Sequence, residues 1–309
     1  MSTEIDIRRI QKNYGATPAL KGISLSVERG EIFGLIGPDG AGKTTLMRLM
    51  CTLLQPDEGE IFIAGKNIFQ HVAEIRAILG YMPQRFSLYQ DLSVEQNLHF
   101  FARVFQVPQS ELPQRLEKLY HFSRLGPFKN RKAGALSGGM KQKLALSCAL
   151  IHTPRLLILD EPTFGVDPVS RQEFWEILKQ IQLEGTTIFV STAYMDEAEL
   201  CDRISLIHRG QILQTGTPEE ITSAYPFAIF RVTGENLQKL RAFFLGLPEV
   251  AATEMFGSEL HVSFQTTPPK ESWKQWQAQL AGLLNNYQPI RPRVEDVFMH
   301  LMGGNEDVA

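Results

Sequence analysis

A chain of 309 residues has room for one large α/β domain and a smaller second one. Its 43% hydrophobic and 21% charged residues make an ordinary globular balance. The net charge of −3 offers no basic surface, which argues against nucleic acid as a partner.

The amino terminus, MSTEIDIRRI, is charged and alternating, unlike a signal peptide. Ile5, Ile7 and Ile10 precede a turn near Asn13–Gly15, and Leu20, Ile23, Leu25 and Val27 alternate at strand spacing. Glu31–Ile36 reads as a buried strand ending at a glycine, and a helix is expected from Lys43 to about Leu54. Residues 56–59 mark a turn before a strand over Glu60–Ala64. Residues 93–180 carry a mostly helical pattern, broken by the apolar strand Leu156–Leu159; Thr186–Ser191 is the next strand. Strands alternating with helices imply a mainly parallel, doubly wound sheet.

Thr-Pro and Tyr-Pro punctuate residues 217–226 and place a boundary there. Beyond it, strands are expected at Phe227–Val232 and Leu260–Phe264, and helices at Asn236–Phe244, Ser272–Leu284 and Val294–Met302. This is a small α+β unit. Trp273 and Trp276 share one helix face and are expected in its core. Cys51, Cys148 and Cys201 lie far apart with no CxxC, so reduced core thiols are expected. No apolar run approaches the roughly 18 residues needed to cross a bilayer. A soluble chain is expected, with any membrane role exerted through a partner.

Gly37-Pro38-Asp39-Gly40-Ala41-Gly42-Lys43-Thr44 fits the phosphate-binding pattern G-x-x-x-x-G-K-[ST]. Its glycines let backbone N–H groups turn around phosphate oxygens, and the following helix aims its positive end at them. Lys43 supplies a point charge for the outer phosphates and Thr44 a hydroxyl for Mg²⁺; Thr45 is taken with them as nucleotide-binding. Leu156–Leu159 runs into Asp160 and Glu161. In a parallel sheet that strand end lies beside the phosphate loop, so Asp160 would hold Mg²⁺ through water and Glu161 would act as general base.

Leu136-Ser137-Gly138-Gly139-Met140 narrows the choice. With GPDGAGKTTLMR, LSGGMKQKL and GVDP, the chain resembles the ATP-binding cassette (ABC) ATPases over residues 4–217, and especially cassettes that serve ABC-2 type exporters. The tail resembles the carboxy-terminal extension of drug-export cassettes. The resemblance implies an α/β P-loop NTPase core with an antiparallel β subdomain. A cassette over 1–220 would carry a helical subdomain at about 90–150, and an α+β extension would follow over 221–309. It implies ATP and Mg²⁺ as cofactors. It also implies permease subunits as partners, and a place at the cytoplasmic face of the inner membrane.

Ser137 and the amides of Gly138 and Gly139 form a second helix-start anion site; in the family it serves the γ-phosphate held by the opposite subunit, so two cassettes sandwich two ATP molecules. Tyr14 matches the aromatic that stacks on adenine. Gln84 matches the glutamine that reaches Mg²⁺ and the attacking water, and Asp167 lies in the loop that communicates between sites. Arg85–Leu92 matches the surface that receives the permease, where Phe86, Leu88 and Tyr89 would make either an exposed apolar socket or a small core cluster.

The departure is Ala193, in Ser191-Thr192-Ala193-Tyr194-Met195-Asp196-Glu197-Ala198, where the family carries a histidine that touches the terminal phosphate. A methyl group neither donates a hydrogen bond nor carries a proton. Neither His152, far upstream, nor His208, in a later strand, substitutes for it. Losing a charge-assisted hydrogen bond costs about 1.5–3 kcal/mol, which is about one to two decades of turnover if felt fully in the transition state. Two readings stay open: a slow site paired with a competent one on a non-identical partner cassette, which the retention of every other site residue favours, or a slow homodimer. A non-hydrolysing regulatory cassette is an alternative function. So is a soluble ABC protein acting on ribosomes or DNA, although this chain has neither a second cassette nor a long coiled-coil insert.

Overall fold

In the computed structural model, which describes residues 2–85, 88–280 and 282–306, strands β1 (Thr3–Tyr14) and β2 (Thr17–Glu28) pair antiparallel. With β4 (Glu58–Ile63) and β5 (Lys66–Asn67) they form a four-stranded sheet of order β2-β1-β4-β5. Alternation puts Ile5, Ile7, Ile10, Ile23 and Val27 on a buried face, as expected of an antiparallel sheet wet on one side.

A second sheet has six strands in the order β10-β9-β3-β8-β7-β6. Its members are β3 (Ile32–Ile36), β6 (Leu79–Met82), β7 (Leu156–Asp160), β8 (Thr187–Thr192), β9 (Arg203–His208) and β10 (Gln211–Gly216). All pairs are parallel except β9–β10. Every residue of β3, β7 and β8 is buried, which is why these segments read as unbroken apolar runs: a parallel sheet is covered on both faces. Helix α1 (Lys43–Met50) packs Leu46, Met47 and Met50 into the cluster shared with the antiparallel strands. It stops short of the expected Leu54 because Thr52 turns left-handed at φ 57. Helix α2 (Val72–Ile78) leads into β6.

A separate apolar cluster joins α3 (Val94–Val104), α4 (Leu112–Ser123) and α5 (Gly138–Leu150) through Leu98, Leu116, Leu119, Leu144 and Cys148. Ser93 and Gln96 close a capping box at the start of α3, pairing two otherwise orphaned donors. Helix α6 (Pro168–Leu183) starts on proline, whose missing N–H costs nothing at that position.

These elements form one compact unit ending at Thr217; a second begins at Pro218. The second holds α7 (Pro218–Ser223), β11 (Ala228–Gly234), α8 (Leu237–Leu245), β12 (Val250–Phe256), β13 (Glu259–Phe264), α9 (Lys270–Gln279), β14 (Leu284–Pro289) and α10 (Val294–Glu306). Its sheet order, β12-β13-β11-β14, with the run β-α-β-β-α-β, is a ferredoxin-like plait. Trp273 and Trp276 sit in its core, Trp273 stacked on Tyr287 at 4.0 Å and Trp276 on Phe264 at 5.6 Å. The helix expected over Ser272–Leu284 in fact ends at Gln279, and Leu284 opens β14. Strands β12 and β14 were not anticipated.

The three cysteines are free and buried, and burial pushes each thiol pKa up. Among the described residues no helix is long and apolar enough to cross a membrane.

Candidate active site

The chain between β3 and α1 is a glycine-rich loop at the carboxyl end of a central parallel strand, where open α/β sheets bind ligands. Gly42 caps α1 at φ 107, and a Cβ there would lie 2.7 Å from the Ala19 carbonyl oxygen. At Gly37 a Cβ would fall 2.2 Å from the Ile207 carbonyl. The pattern's two outer glycines are therefore required by close backbone approach, one of them also by its dihedral. The loop is tied to the next strand, since Gly37 N–H donates to the Thr192 carbonyl at 3.2 Å.

Lys43, 3% exposed, folds back over the loop. Its Nζ donates to the Gly37 and Pro38 carbonyls at 2.7 and 3.0 Å and meets Glu161 Oε1 at 2.9 Å. Gln84 Nε2 donates to the other oxygen of that carboxylate, Oε2, at 2.7 Å. Lys43, Glu161 and Gln84 thus form one hydrogen-bonded row drawn from α1, the end of β7 and the segment after β6. Glu161 is held at φ 47, a left-handed conformation unusual outside glycine. Its N–H bonds both the carbonyl and the hydroxyl of Ser191, at 3.2 and 3.1 Å.

Asp160 is fully buried. Its Oδ1 accepts from Ser191 Oγ at 2.8 Å and Thr44 Oγ1 at 3.1 Å, while Oδ2 has no partner among the described residues. Burial raises its carboxyl pKa, opposed by the bonds from Ser191 and Thr44. A buried acceptor beside a threonine hydroxyl, with one oxygen unsatisfied, fits a hydrated divalent cation.

A cavity of about 400 Å³ opens over this row, lined by Tyr14, Ala19, Asp39, Gly40, Gly42–Thr45, Gln84 and Glu161. Tyr14 is half exposed at its rim. Ala41 is buried beneath. Ser137, Gly138, Gly139 and Asp167 are not among its lining residues. Ser137 caps α5, accepting from Met140 N–H at 3.3 Å. Asp167 caps α6, accepting from Ser170 N–H at 2.9 Å, and that bond lowers its pKa. Gly139 packs on Ser170 so closely that a Cβ would come within 2.5 Å of its hydroxyl. The two helix starts therefore form one surface, separate from the chain's own phosphate loop.

Ala193 follows Thr192, whose carbonyl anchors Gly37; it is not among the residues lining the cavity, and its methyl side chain carries no polar atom. Of the segment after Gln84, Leu88 packs into the helical cluster and Tyr89 is 47% exposed, its ring edge-on to Phe100 at 4.5 Å; Phe86 lies outside the described residues. Socket and core cluster therefore each claim one residue. Ser191 and Thr192 were missed from sequence. Their only signal is a pair of hydroxyls ending an apolar strand, and it gains meaning once β8 is known to lie between β3 and β7.

Comparison with known proteins gives a family model described as "ABC transporter", matching residues 20–164. The probable multidrug ABC transporter ATP-binding protein YbhF of Escherichia coli is 39% identical over 93% of this chain and 50% of its own length, so the chain spans about half of that relative. Nod factor export ATP-binding protein I of Ralstonia nicotianae is 35% identical over 97% of this chain and 94% of its own. Among solved structures, cbiO1 from Clostridium perfringens, described as part of the ABC transporter complex cbiONQ, superposes with TM-score 0.66 at 28% identity, covering 80% of this chain and 97% of that one. A dimeric ATP-binding cassette in a post-hydrolysis state bound to ADP and Pi gives TM-score 0.63 at 25% identity, over 69% and 98%. The chain belongs to the ATP-binding proteins of ABC transporters, a family whose cassettes hydrolyse ATP to power transport.

Proposed function

We propose that this chain is the ATP-hydrolysing subunit of an ABC-2 type exporter of drugs or other small molecules. It would work at the cytoplasmic face of the inner membrane, paired with a second, non-identical cassette. The observation that carries the reading is the hydrogen-bonded row Lys43–Glu161–Gln84 above the phosphate loop. The exporter names of the relatives above support the transport role.

The loop amides cradle the phosphates of ATP, Tyr14 stacks on the base and Thr45 completes the loop's contacts. Lys43 transfers its ammonium from Glu161 to the outer phosphate oxygens, which frees the Glu161 carboxylate to accept a proton from the attacking water. Gln84 keeps that water in line through its amide. Thr44 and Asp160 would hold Mg²⁺, which neutralises charge across the outer phosphates. Ser137, Gly138 and Gly139 face a nucleotide held by the other cassette, and Asp167 lies in the same contact surface. Closure of the pair moves Gln84–Leu92 against the permease.

Ala193 makes the pair unequal. The chain's own site lacks one hydrogen-bonding group, while the half it lends to its partner is whole. Ala193→His should therefore raise the ATP turnover of the isolated protein by about tenfold or more. An unchanged rate would show that position 193 does not limit turnover. Glu161→Gln should abolish turnover while ATP still binds; residual full activity in that variant would remove Glu161 from the mechanism.

A further inference from the structure

A second cavity, of about 370 Å³, lies at the amino ends of β7 and β8, the end of the sheet opposite Asp160 and Thr192. Its floor is apolar, formed by Leu119 and Phe122 of α4 and by Leu150 and Ile181; Leu119 and Ile181 are almost fully buried. Four cations stand around the mouth: Arg29, Arg115, Lys118 and Arg155. One carboxylate, Glu184, faces them.

Three of the four cations are already matched. Lys118 Nζ meets Glu184 at 2.7 Å and lies 5.5 Å from the Phe122 ring centre. Arg115 pairs with Glu111 at 2.6 Å and donates to the Ile151 carbonyl at 2.9 Å. Arg155 pairs with Glu4 at 2.5 Å. Arg29 is exposed, and among the described residues its guanidinium has no ion pair or hydrogen bond; only its backbone N–H is engaged, with Ser2. One positive charge is left over, at the edge of an apolar floor.

We infer that this cavity binds a small amphiphilic monoanion, a carboxylate or sulfonate on an aromatic body, with its charge on Arg29 and its ring on Leu119 and Phe122. One surplus cation favours a single negative charge over a polyphosphate, and a guanidinium is suited to planar two-oxygen anions. The volume is at the lower end of the range of small-molecule pockets, about 300–1,000 Å³. The site touches none of the residues assigned to ATP. It links α4 to the entrances of two core strands, so an occupant would tie the helical cluster to the sheet.

Naphthalene-2-sulfonate, titrated calorimetrically into the whole protein, tests this. One saturable site is expected, unaffected by saturating ATP and Mg²⁺. Arg29→Glu and the milder Arg29→Gln, both at an exposed side chain, should each weaken it by about tenfold or more, with melting temperatures unchanged. Uncharged 2-naphthol should bind weakly by a similar factor. Absence of saturable binding, affinity in both Arg29 variants equal to that of the natural protein, or displacement by ATP would each overturn the assignment.

Discussion

Ser191 shows how one hydroxyl can organise two acidic residues. Its Oγ donates to Asp160 and accepts from the Glu161 N–H, so it fixes a buried carboxylate and the strained turn that aims the next one. Ser191→Ala should lower ATP turnover by about tenfold, the scale of one lost buried hydrogen bond, with nucleotide binding largely kept. Unchanged turnover in that variant would separate Ser191 from the chemistry. His152 provides a second residue-level test. Its Nε2 lies 2.8 Å from the Leu79 carbonyl and so carries the proton, leaving Nδ1 buried without a partner among the described residues, while the ring stacks on Phe105 at 3.9 Å. Burial lowers the His152 pKa, ahead of the opposing bond to Leu79. Below the ordinary histidine range, near pH 6.5, the unfolded chain takes up a proton that the native chain refuses. Stability is then present above that pH and lost as pH falls toward the native pKa. Denaturation midpoints followed from about pH 7.5 to 5.5 should drop more steeply for the natural protein than for His152→Gln; parallel curves would dismiss the effect.

At the scale of elements, Asn97 of α3 anchors the segment that follows Gln84. Fully buried, it accepts from Tyr89 N–H at 3.0 Å and donates to the carbonyls of Tyr89, Leu92 and Ser93 at 3.1, 3.3 and 2.9 Å. Replacement by leucine leaves the Tyr89 N–H to find another partner, while the carbonyls of Tyr89, Leu92 and Ser93 keep the N–H groups of Leu92, Ala133 and residue 97, so Asn97→Leu should destabilise by about 2 kcal/mol. A loss under about 1 kcal/mol in chemical denaturation would mean that water replaces the amide easily. No sequence pattern marked Asn97, because its partners are backbone groups of a loop. The same distinction runs through the fold. β3, β7 and β8 could be read directly because a strand covered on both faces must be apolar throughout. β12 and β14 could not, because an edge strand such as Leu284–Pro289, LNNYQP, needs few buried side chains. In the site, Lys43, Asp160 and Glu161 were legible because their chemistry is tied to local spacing. Ser191, Thr192 and Ala19 were not, because their roles follow from which strands are neighbours.

For the whole molecule, the informative feature is that each compact unit has a core of its own. The first is built around Leu46, Phe189 and Ile158, with the helical cluster beside it; the second around Phe264, Trp273 and Trp276. We read the first as the complete nucleotide-binding cassette, since the phosphate loop, Gln84, the carboxylates and the Ser137 helix start all precede Thr217. A protein ending at Thr217 should then fold cooperatively and bind ATP with an affinity within about threefold of the full chain, a difference of under 1 kcal/mol. Residues 218–309 alone should keep the near-ultraviolet dichroism of the packed Trp273–Trp276 pair, whose rings lie 4.9 Å apart, and lose it in one cooperative transition. If the shortened cassette aggregates or loses ATP binding, the second unit is part of the nucleotide machinery. If the carboxy-terminal fragment shows no cooperative transition, its plait is not self-sufficient. Success of both would leave the second unit free to act on closure or pairing of cassettes, measurable as a change in the ATP dependence of turnover when it is removed.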